Sequence, residues 1–248
     1  MKRQIYLTPA EGKRLIAKGL ASDERVLKAA REHTLVIIGG TTNGYAAEEI
    51  LKALGLGTFD RSGFFRGIFK GPQAAKLSSV VGDIMIRKGE LITGRVIDDI
   101  EPELEEGDMI LKGGNALYLK DRQVGVVIGN ARYGTLDHIG RAYFGRRVAV
   151  IAPIGLEKRV ELPITELMKF VNAPDCTGTR LALSPGEPYT ETDALSVCGV
   201  RTILLSSGGV AGYEGSVLLG IEGTEDQIKT AEELIKSVKG EPVFGEDL

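Results

Sequence analysis

Leu35-Val36-Ile37-Ile38 is an unbroken run of apolar β-formers that ends abruptly in Gly39-Gly40-Thr41-Thr42-Asn43-Gly44. A strand with one wet face alternates apolar and polar residues, so an unbroken run needs cover on both faces, as in a parallel sheet flanked by helices. Good helix formers fill 45–54, and Gly55 supplies a stop. Short apolar strands are also predicted at 108–111, 124–128 and 148–153. The expected fold is therefore α/β: a Rossmann-like, mostly parallel sheet with helices on both faces, spanning residues 1–172. A smaller C-terminal α+β unit, ferredoxin-like, is expected over 173–248.

The remaining punctuation fits this outline. Thr8-Pro9-Ala10-Glu11 combines an N-cap, a first-turn proline and a capping-box glutamate. Ser22-Asp23-Glu24 opens a second helix, so two short helices are expected before the first strand. Residues 63–70 are aromatic and glycine-bearing. Segments 80–86 and 90–97 read as strands around Lys88-Gly89, and 136–144 as a helix. Residues 172–191, rich in Pro, Gly, Thr and Ser, read as a linker or crossover. A short helix at 192–198, strands at 201–206 and 216–222, and a helix at 224–238 complete the chain. The last helix places Ile228, Ala231, Leu234, Ile235 and Val238 on one face.

Composition narrows the function classes. Lys plus Arg total 31 against 34 Asp plus Glu, a net charge of -3, without the broad basic footprint of a nucleic-acid binder. Arg141, Arg146 and Arg147 read as a solvated helix end. Cys176 and Cys198 fit no zinc spacing and no metal or other cofactor is expected. The N-terminus lacks the apolar run of a signal peptide, and no stretch reaches the ~20 residues that span a bilayer. A cytoplasmic protein with neither nucleic acid nor membrane as partner is expected.

Chemistry concentrates at strand ends. In the Gly39–Gly44 loop, glycines let backbone N–H groups turn inward, the following helix adds unpaired donors, and Thr41, Thr42 and Asn43 add side-chain hydrogen bonds. This suits a phosphate or carboxylate. The pattern is neither a dinucleotide fingerprint nor a Walker A loop. Lys112, at the end of a strand and followed by Gly113, Gly114 and Asn115, aims an ammonium at the crevice where open α/β sheets bind ligands. A third loop offers Arg132, His138 and Thr135, the last as an N-cap. In the loop after 148–153, Glu157 and Lys158 read as a surface ion pair.

Two of these segments resemble the superfamily of ribose-5-phosphate isomerases, glucosamine-6-phosphate deaminases and CoA-transferases. The Gly39–Gly44 loop looks like that group's phosphate loop. Leu111-Lys112-Gly113-Gly114-Asn115-Ala116-Leu117-Tyr118-Leu119-Lys120-Asp121-Arg122 is similar to the isomerases' lysine–glycine stretch and its downstream basic–acidic–basic triplet. The resemblance covers roughly residues 9–127. It implies Asp121 as the base that moves a proton between sugar carbons and Lys112 as the stabiliser of the enediolate. The isomerases' acidic motif before the lysine has no counterpart, because that region reads Glu103-Leu104-Glu105-Glu106-Gly107-Asp108.

The expected function is binding of an anionic, phosphorylated metabolite, with isomerase-like proton transfer if the protein is an enzyme. Three alternatives stand beside it. One is a non-catalytic binding or sensing protein on the same fold. Another is a CoA-transferase relative with Glu157 or Glu214 as nucleophile, and the last is a structural or assembly protein. A homo-oligomer is a reasonable expectation for the fold class, though no residue pattern demonstrates one.

Overall fold

A computed structural model describes residues 1–66, 82–211 and 213–245. In chain order its elements are β1 (Lys2–Leu7), α1 (Pro9–Leu20), α2 (Glu24–Glu32), β2 (Thr34–Ile37), α3 (Thr41–Leu54), β3 (Ile84–Arg87) and β4 (Glu90–Ile92). There follow α4 (Ile97–Ile100), β5 (Met109–Leu111), β6 (Ala116–Tyr118), β7 (Gln123–Ile128), α5 (Thr135–Gly140), β8 (Ala149–Pro153) and α6 (Ile164–Val171). The last elements are β9 (Arg180–Leu183), β10 (Glu187–Tyr189), α7 (Glu191–Ser196), β11 (Arg201–Ser207), β12 (Val217–Glu222) and α8 (Glu225–Lys236).

The protein is mixed α/β, built on a six-stranded mixed sheet in the order β10-β8-β5-β2-β3-β4. Strands β10, β8, β5 and β2 run parallel, while β3 and β4 add an antiparallel hairpin beyond β2. The unbroken apolar run has the predicted cause. Leu35 and Ile37 face one buried cluster, shared with α1, α2, α3 and α7, while Val36 and Ile38 face another, shared with α4 and α5. Strand β5 divides likewise, with Met109 and Leu111 on one side and Ile110 on the other. Each fully buried side chain of this size contributes about 1.5–3 kcal/mol.

Two three-stranded sheets complete the fold, β1-β12-β11 and β6-β7-β9. Strand pairings cross the expected boundary between residues 172 and 173: in these two sheets β1 pairs with β12 and β7 with β9, and in the six-stranded sheet β8 pairs with β10. Ile228, Ala231 and Ile235 of α8 pack into the same cluster as Leu15 and Ile16 of α1. Charge fastens the same junction. The Arg14 guanidinium donates to Glu48 (2.8 Å), Glu49 (3.0 Å) and Glu241 (2.9 Å).

Several local expectations change. Strand β1 precedes the two N-terminal helices, and the segment expected as a linker, 172–191, carries β9 and β10. Strand β4 stops at Ile92 rather than 97, and the helix expected over 136–144 is α5 followed by a π-helical turn, Arg141–Gly145. Gly134, not Thr135, is the N-cap of α5. Within the basic cluster, Arg147 and Arg141 are exposed as expected, Arg147 paired with Glu106 and Arg141 with Asp137. Arg146 instead pairs with the buried Glu101. Residues 67–70 of the aromatic segment and 80–81 of the first expected hairpin strand lie outside the described residues. Among the described residues no helix is long and apolar enough to cross a membrane.

Candidate active site at the carboxyl edge of the parallel strands

Strands β2, β5, β8 and β10 all end at one edge of the sheet, and their following loops meet there. The loop after β2 is held rigidly. Gly39 N–H donates to the buried Asp83 carboxylate at 2.9 Å, and Gly40 N–H donates to Phe64 O at 3.1 Å. The other Asp83 oxygen accepts Ile97 N–H at 2.9 Å, while Arg66 pairs with the carboxylate at 3.0 Å. Arg66 lies across Gly39, where an added Cβ would sit 3.3 Å from its side chain.

Asn43 fastens this loop to the next strand. Its side-chain amide donates to Ile38 O at 2.7 Å and Leu111 O at 2.9 Å. The two carbonyls fix which end of the amide is nitrogen. That leaves the buried Asn43 Oδ1 facing Gly113 without a hydrogen-bond partner among the described residues, as is Thr42 Oγ1. Among the described residues no acceptor meets the N–H groups of Thr41, Thr42 or Asn43, and α3 has no side-chain cap. An uncapped fourteen-residue helix thus presents its free donors and positive end to this edge.

Lys112, at the end of β5, donates to Gly113 O at 3.1 Å. Burial, followed by the positive charges of Lys158 and Arg66, pushes its ammonium down to about 8. Lys158 reaches back from the loop after β8 and donates to Gly114 O at 2.9 Å. It is therefore part of the edge rather than of a surface ion pair. Burial, and then Lys13 of α1, lowers its pKa against the opposing pull of Glu157 and Glu191.

Glu191 completes the cluster. It opens α7 directly after Thr190 and is 1% exposed. It accepts Leu156 N–H at 3.0 Å, and its other oxygen lies 2.5 Å from where a Cβ on Gly12 would stand. Burial, then repulsion from Glu157, holds its carboxyl far above the ordinary carboxylate range.

The predicted residues divide accordingly. Gly39, Gly40, Thr41, Thr42, Asn43, Lys112, Gly113 and Gly114 share this edge. Gly44 is a packing position, where a Cβ would stand 2.9 Å from that of Arg61. Asn115 is structural, its Oδ1 accepting Val127 N–H at 2.9 Å. Asp121 is exposed in the turn between β6 and β7, outside the Lys112 cluster, and the neighbouring Arg122 turns away to Pro188 O and Asp193. Arg132 and Thr135 follow β7, in a different sheet, and Arg132 is exposed. Asp83, Arg66 and Glu191 were not singled out from sequence. The one signal for Glu191 was its position after a helix-capping threonine.

No family model matches the chain, nor does any curated protein or solved structure. Among the described residues no group of His, Cys, Asp and Glu is arranged to hold a metal ion.

Proposed function

We propose that this edge binds an anionic small molecule, preferably phosphorylated, between the N-terminus of α3 and Lys112. The observation that carries the reading is the set of amides at Thr41, Thr42 and Asn43, without an acceptor among the described residues, on the same edge as the half-buried Lys112. A helix terminus stabilises an adjacent anion by about 0.3–1 kcal/mol, more where water is excluded. Thr42 Oγ1 and Asn43 Oδ1 lie buried behind these amides with no hydrogen-bond partner among the described residues.

On this reading the sheet is Rossmann-like, its parallel strands covered on both faces and its ligand at their carboxyl ends. The β1-β12-β11 sheet with α8 is the part read as ferredoxin-like. The likeness to the sugar-phosphate isomerase superfamily rests on the two loops, and proton transfer on a sugar phosphate is the reaction it suggests. The exposed position of Asp121 favours a binding or sensing protein over an isomerase that uses that base.

A thermal-shift screen tests the proposal. Phosphorylated sugars, CoA esters, nucleotides and inorganic phosphate are compared on the wild type, Lys112→Met and Thr42→Val. A ligand that binds only the folded state raises the melting temperature by mass action. A shift with a phosphorylated compound that shrinks in both variants supports the site. No shift with any anion removes it.

A further inference from the structure

After α8, residues 239–244 turn back across α1 and α3 as a strap. Lys239 donates to the buried Glu11 at 2.9 Å, and Gly240 N–H donates to the same carboxylate at 3.0 Å. Glu241 accepts two nitrogens of the Arg14 guanidinium, at 3.0 and 2.9 Å, a two-pronged pairing that fixes direction as well as charge. It also accepts Arg61 at 3.4 Å. Phe244 packs its ring against Tyr45 and Phe65, with centroids 6.4 and 6.1 Å apart. Arg61 and Phe65 belong to a segment, 59–66, that walls the glycine loop. Phe64 O accepts Gly40 N–H, and Arg66 lies across Gly39 to reach Asp83. From the outer side, Arg61 donates to Glu48 at 3.0 Å and lies over the buried Tyr45 ring, 4.3 Å from its centroid, which Arg14 also covers at 4.7 Å. The strap and the wall therefore meet at shared side chains, and the contact continues from Phe244 through Phe65 and Phe64 to Gly40.

We propose that the strap is a latch on the anion site: docked Glu241 and Phe244 hold the 59–66 wall against Gly39-Gly40, and strap docking and anion binding favour one another. Glu241 and Phe244 are positioning residues that act through the wall. With the strap released, Arg61 keeps Glu48 but loses Glu241, and Phe65 loses an aromatic neighbour. The wall then visits arrangements in which Phe64 O leaves Gly40 N–H and Arg66 leaves Asp83. Fewer molecules hold the loop ready for an anion, and the apparent affinity falls in proportion. The coupling is reciprocal, so a bound anion tightens the strap. A strap that served the fold alone would change the melting temperature without changing the affinity of the folded protein. The inference rests on the anion-site reading and adds a control point outside the ligand's reach.

Calorimetric titration with sulfate and amide hydrogen exchange, both on the full chain, test the latch. Phe244→Ala and Glu241→Gln should each weaken sulfate binding by about 5-fold or more and speed exchange across 59–66. Phe244→Tyr, which keeps the ring, should retain wild-type affinity. So should Glu49→Gln, which removes another Arg14 partner but has no hydrogen bond to 59–66 among the described residues. In the wild type, saturating sulfate should slow exchange in 239–244, and in Lys112→Met it should do so much less. Wild-type affinity in both Phe244→Ala and Glu241→Gln overturns the latch, as does an equal loss in Glu49→Gln. Strap exchange that bound sulfate leaves unchanged also overturns it. A wild type that binds no sulfate overturns the anion site and the latch with it, whereas sulfate binding that ignores the strap variants overturns the latch alone.

Discussion

Asn43 and Leu111 are joined by a 2.9 Å hydrogen bond from a side-chain amide of α3 to the last carbonyl of β5, and the same nitrogen donates to Ile38 O. Leu111 O also accepts Ile38 N–H at 3.0 Å. One buried side chain therefore holds the glycine loop, the adjoining strand and the start of α3 in a single arrangement.

This bond set gives the first prediction. Asn43→Ala takes the side-chain donor from the buried Ile38 carbonyl, while Leu111 O keeps Ile38 N–H, and should cost about 1–3 kcal/mol. Asn43→Asp should cost more at neutral pH, because a carboxylate would face two carbonyl oxygens. Chemical denaturation of the three proteins checks the order, and an Asp variant as stable as the Ala variant would contradict it.

Gly12 and Glu191 should be energetically coupled. Gly12→Ala drives a methyl against the buried carboxyl and should cost about 1–3 kcal/mol. In the Glu191→Ala background the same change should cost much less, since the space is then open. A double-mutant cycle measures this coupling. Additive effects would show that the two residues do not meet in solution.

Two of the titratable groups at the edge, Lys112 and Glu191, should bend stability in opposite directions with pH. The Lys112 amine is depressed to about 8 in the fold. Between about 8 and its ordinary value the unfolded chain holds a proton that the native protein has released, so stability rises with pH. Glu191 is raised, so above the ordinary glutamate range the native state holds the extra proton and stability falls as pH increases. Glu191→Gln, which keeps an oxygen for Leu156 N–H, should therefore raise the melting temperature increasingly above pH 5. Lys112→Met should remove the rise between about 8 and 10.5, worth up to roughly 3 kcal/mol. Melting curves across pH 4–10 check both slopes.

Much of the sheet was legible because its cause is local. Val36 and Leu35 alternate between two covered faces, so the chain must be apolar at both, and Gly39-Gly40 marks the strand end wherever it packs. Lys112 was legible for the same reason, at the junction of a short apolar run and two glycines. Strand β1 was not, because in Lys2–Leu7 only Ile5 and Leu7 are buried. Strand β10 is three residues long and contains Pro188, which an edge position tolerates. The missed site residues owe their placement to long-range packing. Asp83 meets Gly39 only because β3 runs antiparallel to β2, and Glu191 is enclosed only because α7 packs on α1. Neither partnership leaves a spacing in the sequence. Asp121 misled in the opposite way: its residue type suits a base, but the hairpin leaves it exposed.

The central claim is that Lys112 and the free end of α3 hold an anion. The most direct measurement is calorimetric titration with sulfate, whose charge is constant over the range, from pH 6 to 10 on the wild type and Lys112→Met. The account predicts wild-type affinity that falls as pH rises through about 8, and weak, pH-independent binding in the variant. Wild-type affinity that is absent, or equally strong in Lys112→Met across the range, would contradict it.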